Sequence, residues 1–253
     1  GTPRSFEHML AADAPGCVVE QWECARATSW TFLPTKLTNK QALALHKQGF
    51  DIGSHASTYC QNWSAESLAR TFATDLESFR VAFPDLAPQE TSRLHCIVWS
   101  TYLTQPKIGR GWGLRFDMNY YYWPKDWIRG RAGFMTGSGL PMRFFDPQGE
   151  LIDVYQQETH LVDEVFFAHP ERVDTLIARA VGPEGYYGAF GTHYDFHNAF
   201  DELLIRVAQK WQIPMVSAQQ MLDWQDGRSS SNAQVLGWDS GRLKLSISAD
   251  KRT

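Results

Sequence analysis

The sequence predicts an α/β fold: a distorted (β/α) barrel followed by a short C-terminal β-hairpin. Short apolar runs alternate with amphipathic helical stretches from Thr28 to Gln225, the pattern of a mainly parallel sheet with helical crossovers. At 253 residues the chain is long enough for one large α/β barrel or two ordinary domains, and 43% hydrophobic residues can fill a sizeable core. After Arg228 the pattern changes to the alternation of paired strands.

Taken in order, Thr28–Leu33 (TSWTFL) reads as the first strand. A helix capped at Asn39 runs through Gln48, with Gly49 where a C-terminal glycine belongs, and Phe50–Ser54 (FDIGS) is the next strand. Ser64 starts a longer helix with Leu68, Phe72, Leu76, Phe79 and Phe83 on one face, ended by Pro84. Arg93–Trp99 and Gly113–Asp117 read as strands, and the aromatic stretch from Met118 to Gly149 as a long functional loop. Phe144–Val154 suits a hairpin about Asp146-Pro147-Gln148-Gly149. Pro170–Ala180 is a predicted helix, Tyr186–Thr192 a strand and Asn198–Trp211 a helix. Pro214–Ser217 and Ala218–Gln225 add a last βα unit. The expected division is a barrel over 1–228, then a linker and hairpin over 229–253, turning at Asp239-Ser240-Gly241 and possible as the start of a further β-module.

A formal charge of −4 gives no basic field of the kind nucleic-acid binding needs, so no nucleic-acid partner is expected. No apolar run approaches the roughly 20 residues of a membrane span. Ten Trp and nine Tyr supply flat apolar faces of the type that stack on sugar rings, or else a Trp-rich core. The four cysteines include no CxxC pair, which argues against a cysteine-only zinc site. Their even number fits one or two disulfides, with Cys60–Cys96 preferred and Cys17 and Cys24 equally readable as buried thiols.

In a sheet of this kind, active groups gather where strands end and loops begin. Polar residues recur there: His55 after FDIGS, Arg93 and His95 on the next strand, Asp117 after GLRFD, and His193 after GAFGT. One strand-end histidine is weak evidence; this set on four strands is harder to explain as packing. His55, Arg93, Asp117 and His193 are expected at one end of the barrel. His8, His46, His160 and His169 have no evident partners and are expected to be solvent-facing or incidental.

These residues lie in segments that resemble the polysaccharide deacetylases, the NodB-homology superfamily. LHKQGFDIGSHAS is similar to the family's second motif, in which a glycine-led strand delivers a metal-binding histidine, and ATSWTFLPT to the strand before it. SRLHCIVW is similar in position to the arginine-bearing third motif, LRFDMNYYYWPKDW to the fourth, and GAFGTHYDFH to the last. The resemblance spans about Ala27 to Arg228, and the order of the motifs is its strongest part. It implies a divergent bacterial branch and a secreted, periplasmic or cell-surface enzyme that hydrolyses N-acetyl groups on a polysaccharide.

The same resemblance implies a divalent metal, zinc by preference, that polarises the acetamide carbonyl and acidifies a water. His55 would be a ligand and His95 a replacement ligand, while a buried hydrogen-bonded histidine is the other reading of His95. His193 would protonate the leaving amine, Arg93 would orient the base, and Asp117 would belong to the polar network nearby. Trp99, Tyr121, Tyr122, Trp123, Trp127 and Arg143 would form the substrate wall. The chain departs from the family in three places: it carries no Asp-Asp first motif, it has Tyr59 where a second histidine is usual, and it has His95 where proline is usual. A first strand carrying the acidic pair, ahead of the residues seen here, is therefore expected. A non-catalytic carbohydrate-binding protein is the alternative, and a glycoside hydrolase another, although Glu158, Asp163 and Glu164 cluster on one segment rather than facing each other.

Overall fold

The computed structural model describes residues 3–95, 100–120, 139–163, 170–185, 188–194 and 199–249. Its centre is a six-stranded sheet in sequence order: β1 (Thr28–Thr31), β2 (Asp51–Ser57), β3 (Thr91–His95), β4 (Phe116–Tyr120), β5 (Tyr155–Val162) and β6 (Gly191–His193). Every neighbouring pair is parallel. Winding always to the next strand curls the sheet into a half-barrel, as the sequence predicts, with fewer than eight units.

Seven helices are described: α1 (Pro3–Ala12), α2 (Asn39–Lys47), α3 (Ala65–Ala82), α4 (Thr104–Gly111), α5 (Pro170–Val181), α6 (Phe200–Trp211) and α7 (Ala218–Ser230). Capping boxes start α2, α3 and α7, from Thr38, Ser64 and Ser217 respectively. Thr38, not Asn39, is thus the cap of α2; Asn39 donates instead to Asp85 at 2.6 Å. The cap of α6 is Ala199, in the left-handed region at φ 62°, and the expected cap Asn198 lies outside the described residues. α3 buries Leu68, Phe72 and Phe79 along one face, as its spacing predicts.

The barrel does not close between its end strands. Pro214–Ser217, expected as a strand, is not one, although Met215 O accepts from Arg26 N at 3.0 Å. Pro214 has no N–H to give a ladder. Tyr194 and Met215 pack against both the cluster around Phe50 and Ile205 and the cluster around Leu176 and Leu204, so side chains bridge what the ladder leaves open.

β4 lies later than expected because Gly113, at φ +86°, ends the turn after α4, and pairing begins only near Thr91. β5 has no counterpart in the sequence reading. Its residues YQQETHLV are buried at every position, so no polar and apolar faces alternate. At Gly191 a Cβ would lie 2.1 Å from the Glu158 carbonyl oxygen, so only glycine lets β6 lie this close to β5.

β7 (Asn232–Asp239) and β8 (Arg242–Ser248) form the expected antiparallel hairpin, with Ser240 and Gly241 both at positive φ in the turn. Every residue of both strands is exposed. The expected linker is mostly helix, because α7 continues through Ser230 and only Ser231 separates it from β7. Cys17 and Cys24 are joined in a disulfide. Cys60 is also disulfide-bonded, and its expected partner Cys96 lies outside the described residues.

Candidate active site

β2 and β3 place four polar residues on one face. His55 pairs with Arg93, and Ser57 with His95, while Ile52, Ala56 and Leu94 point the other way into helix-facing apolar clusters. The His55 and His95 rings lie 5.6 Å apart, and the Phe32 ring stands edge-on to both, at 4.6 and 4.8 Å. Nδ1 of His55 is 3.1 Å from the Arg93 carbonyl oxygen. An N–H at Nδ1 donating there leaves the Nε2 lone pair for a ligand.

Arg93 is almost fully buried, and its guanidinium reaches over the neighbouring strands β4 and β5 to donate to Met118 O at 3.0 Å and Thr159 Oγ1 at 2.9 Å. Burial and the charge of Arg93 push the His55 pKa down to about 3, with His95 adding to the effect. His193, at the end of β6, is driven well below its ordinary value by burial first and then by Arg93. Both imidazoles are therefore neutral at ordinary pH, the form in which histidine binds a metal or accepts a proton.

His55, Arg93 and His193 line one cavity of about 790 Å³, which also runs along the open seam between β1 and β6. Trp30 and Phe32 border it near the polar end, while Val173, Ile177 and Leu204 make its far wall apolar. Among the described residues, Asp201 is the only carboxylate in this lining, and His8 binds it at 3.0 Å.

Asp117 does not join that lining. It alternates with Phe116 and Met118, which face the cavity, so its carboxylate points to the helix side and accepts from Gln105 Nε2 at 2.5 Å and Asn119 Nδ2 at 2.6 Å. Desolvation raises its pKa to about 6, against those hydrogen bonds. Arg143 is also away from the cavity, bound to Asp153 at 3.2 Å and lying 4.9 Å over the Tyr155 ring. Trp99, Tyr121, Tyr122, Trp123 and Trp127 lie outside the described residues.

Of the histidines expected to be incidental, His46 is exposed, whereas His160 is buried with Nδ1 accepting from Gly191 N at 3.2 Å. His8 is paired with Asp201, and His169 lies outside the described residues. The sequence reading also passed over Phe32, whose place beside both imidazoles has no sequence signal beyond its position at a strand end. Thr159 was hidden in the unrecognised strand β5.

The donor set bears on whether a metal fits. Two zinc–nitrogen bonds of about 2.0–2.1 Å at a tetrahedral angle bring ring centres to roughly 5 Å, close to the observed His55–His95 spacing. Among the described residues no carboxylate joins that pair, and the three-residue cluster Asp13, Cys17 and Cys24 has both sulfurs in the disulfide.

No protein-family model matches the chain, and no curated protein does. One solved structure is similar, a candidate polysaccharide deacetylase of O-antigen biosynthesis from Bordetella bronchiseptica, at 16% identity and a TM-score of 0.36. The match covers 76% of this chain, which spans 62% of the length of that structure.

Proposed function

We propose that this chain forms the barrel of a metal-dependent carbohydrate deacetylase that hydrolyses N-acetyl groups on a polysaccharide. The observation that carries the reading is the gathering of His55, Arg93 and His193 about one cavity of a half-barrel, with His95 beside His55 and with the His55 and His193 imidazoles neutral. His55 and His95 would hold the divalent ion, zinc by preference, which when bound polarises the acetamide carbonyl and acidifies a water. His193, on the strand at the other end of the sheet, would protonate the leaving amine. Because burial and Arg93 keep it neutral, it becomes a donor only when negative charge enters the pocket.

The chemistry needs a carboxylate base and a further ligand, which a parallel strand in the seam between β6 and β1 would bring beside the imidazoles. A sugar-polymer substrate and a secreted, periplasmic or cell-surface location belong to the same reading. Among the described residues no helix is long and apolar enough to cross a membrane. A non-catalytic sugar-binding role is the second reading, favoured because the one carboxylate that lines the cavity among the described residues, Asp201, is already paired with His8.

The test is acetate release from N-acetylglucosamine oligomers by the zinc-loaded protein, beside sugar binding by calorimetry. Release that disappears in His55→Ala and His193→Ala supports the enzyme. Oligomer binding with neither zinc uptake nor acetate would leave the binding role as the better account.

A further inference from the structure

We infer that the turn Thr58–Cys60, fastened by the disulfide at Cys60, is a positioning element that sets the His95 ring against His55. The significance for metal binding rests on the reading above, while the geometry stands on its own.

His95 ends β3, paired with Ser57 of β2 and with its ring against Phe32. Among the described residues the ladder from β3 to β4 covers only Thr91 and Ser92, and next to His95 the contact on that side is Leu94 N donating to the Asn119 side-chain oxygen at 2.8 Å. On the other side, the β2 ladder runs to the Ser57–His95 pair, and the chain leaving β2 continues from it into the turn. Thr58 donates to the His95 carbonyl oxygen twice, from N at 3.0 Å and from Oγ1 at 2.9 Å. Two residues later the Cys60 sulfur lies 4.0 Å from His95 Nε2. The turn therefore touches both the backbone and the ring of His95.

Tyr59 and Cys60 take left-handed φ values of 55° and 59° in succession. Such a conformation is unfavourable for a non-glycine residue and persists only where its surroundings enforce it. The disulfide at Cys60 is a covalent enforcer. Tyr59 is 80% exposed, so packing of its own side chain does not hold the turn.

The sulfur also lies beside one ring nitrogen of His95, Nε2. A weak acceptor beside Nε2 favours the proton there and leaves the lone pair of His95 on Nδ1. The opposite holds at His55, where Nδ1 meets the Arg93 carbonyl and Nε2 is left. Phe32, edge-on to both rings, limits how far either can turn.

The experiment compares this chain with Cys60→Ser, Thr58→Val and Cys17→Ser, using histidine ¹⁵N NMR, zinc titration and melting. Cys60→Ser should shift the His95 ¹⁵N pair away from the Nε2–H pattern and weaken zinc binding about 10- to 100-fold, the usual effect of losing support behind a ligand. Thr58→Val, which keeps the disulfide, should weaken it in the same direction. Cys17→Ser removes the other disulfide and should lower Tm with the His95 signals and zinc affinity unchanged. If the wild-type protein binds no zinc, the metal reading fails and the His95 ¹⁵N pair alone decides the positioning. His95 signals that stay fixed in both Cys60→Ser and Thr58→Val overturn the inference.

Discussion

Nδ1 of His55 lies 3.1 Å from the backbone oxygen of Arg93, the residue it pairs with across β2 and β3. One strand register thus sets two things: the orientation of an imidazole, and the buried cation that adds to desolvation in keeping it neutral. The proposed chemistry turns on separating these effects by substitution.

Loss of His55 and loss of His193 should differ. In the proposed enzyme, His55→Ala removes a zinc ligand and should abolish both zinc uptake and acetate release. His193→Ala should keep the zinc while lowering turnover about 10²- to 10⁴-fold, the usual range for a proton-transfer group. Zinc content by atomic absorption beside an acetate assay checks both, and equal zinc loss in the two variants would contradict the roles.

Replacing Arg93 by methionine removes the charge that disfavours imidazolium. The pKa values of His55 and His193 should both rise from their depressed positions, as followed by ¹H–¹⁵N NMR titration. The variant should also lose stability, because Thr159 Oγ1 and Met118 O lose a buried donor. Unmoved histidine titrations would show that burial alone sets them.

Stability should fall as pH drops below about 6.5. His55 has a folded pKa near 3, so between these values the unfolded chain binds the extra proton and acid favours unfolding; His193, shifted the same way, adds to the effect. Asp117 acts oppositely. Its folded pKa is near 6 against a model-peptide value near 3.8, so the folded state holds the extra proton there, and that contribution is lost as pH rises through about 6. Asp117→Asn should therefore steepen the acid loss of Tm. The substitution itself should be mild, because Gln105 Oε1 has no partner among the described residues and can accept from the new amide after a flip.

Gly191→Ala should be among the most damaging single changes. Its Cβ would press to 2.1 Å from the Glu158 carbonyl, a backbone atom that cannot swing aside. A loss of at least about 1–3 kcal/mol follows from overpacking alone. His193 sits two residues on and should move with the strand, so altered His193 NMR signals are expected beside a lower Tm.

Truncation after Ser231 should leave the barrel's Tm nearly unchanged. Every residue of β7 and β8 is exposed, including Trp238 at 69% and Ile247 at 69%, so the hairpin buries little against the barrel. A two-stranded hairpin is only marginally stable alone. A drop of several degrees would show that it braces α7.

The sequence by itself determined the parallel α/β winding, the long helix from Ser64, the terminal hairpin, and the strand segments near His55, Arg93 and His193, though not their bounds: His55 lies inside β2 and Arg93 in the middle of β3. These are local signals: capping residues, apolar periodicity, and glycine or aspartate turns act over a few residues. It could not show β5, because a strand buried on both faces has no alternation, and YQQETHLV is too polar to read as an apolar run. Nor could it show α4, where TQPKIGRG contains one proline and two glycines and packing outweighs weak propensity. The side of the sheet taken by Asp117 was equally hidden, because pairing begins later than the sequence suggested and alternation then turns the carboxylate toward Gln105. The meeting of Phe32, His55 and His95 was decided only by tertiary structure, since it depends on the register between β1, β2 and β3 rather than on any one segment. The depressed histidine pKa values belong there too, because desolvation and the charge of Arg93 exist only once strands distant in the chain enclose a common space.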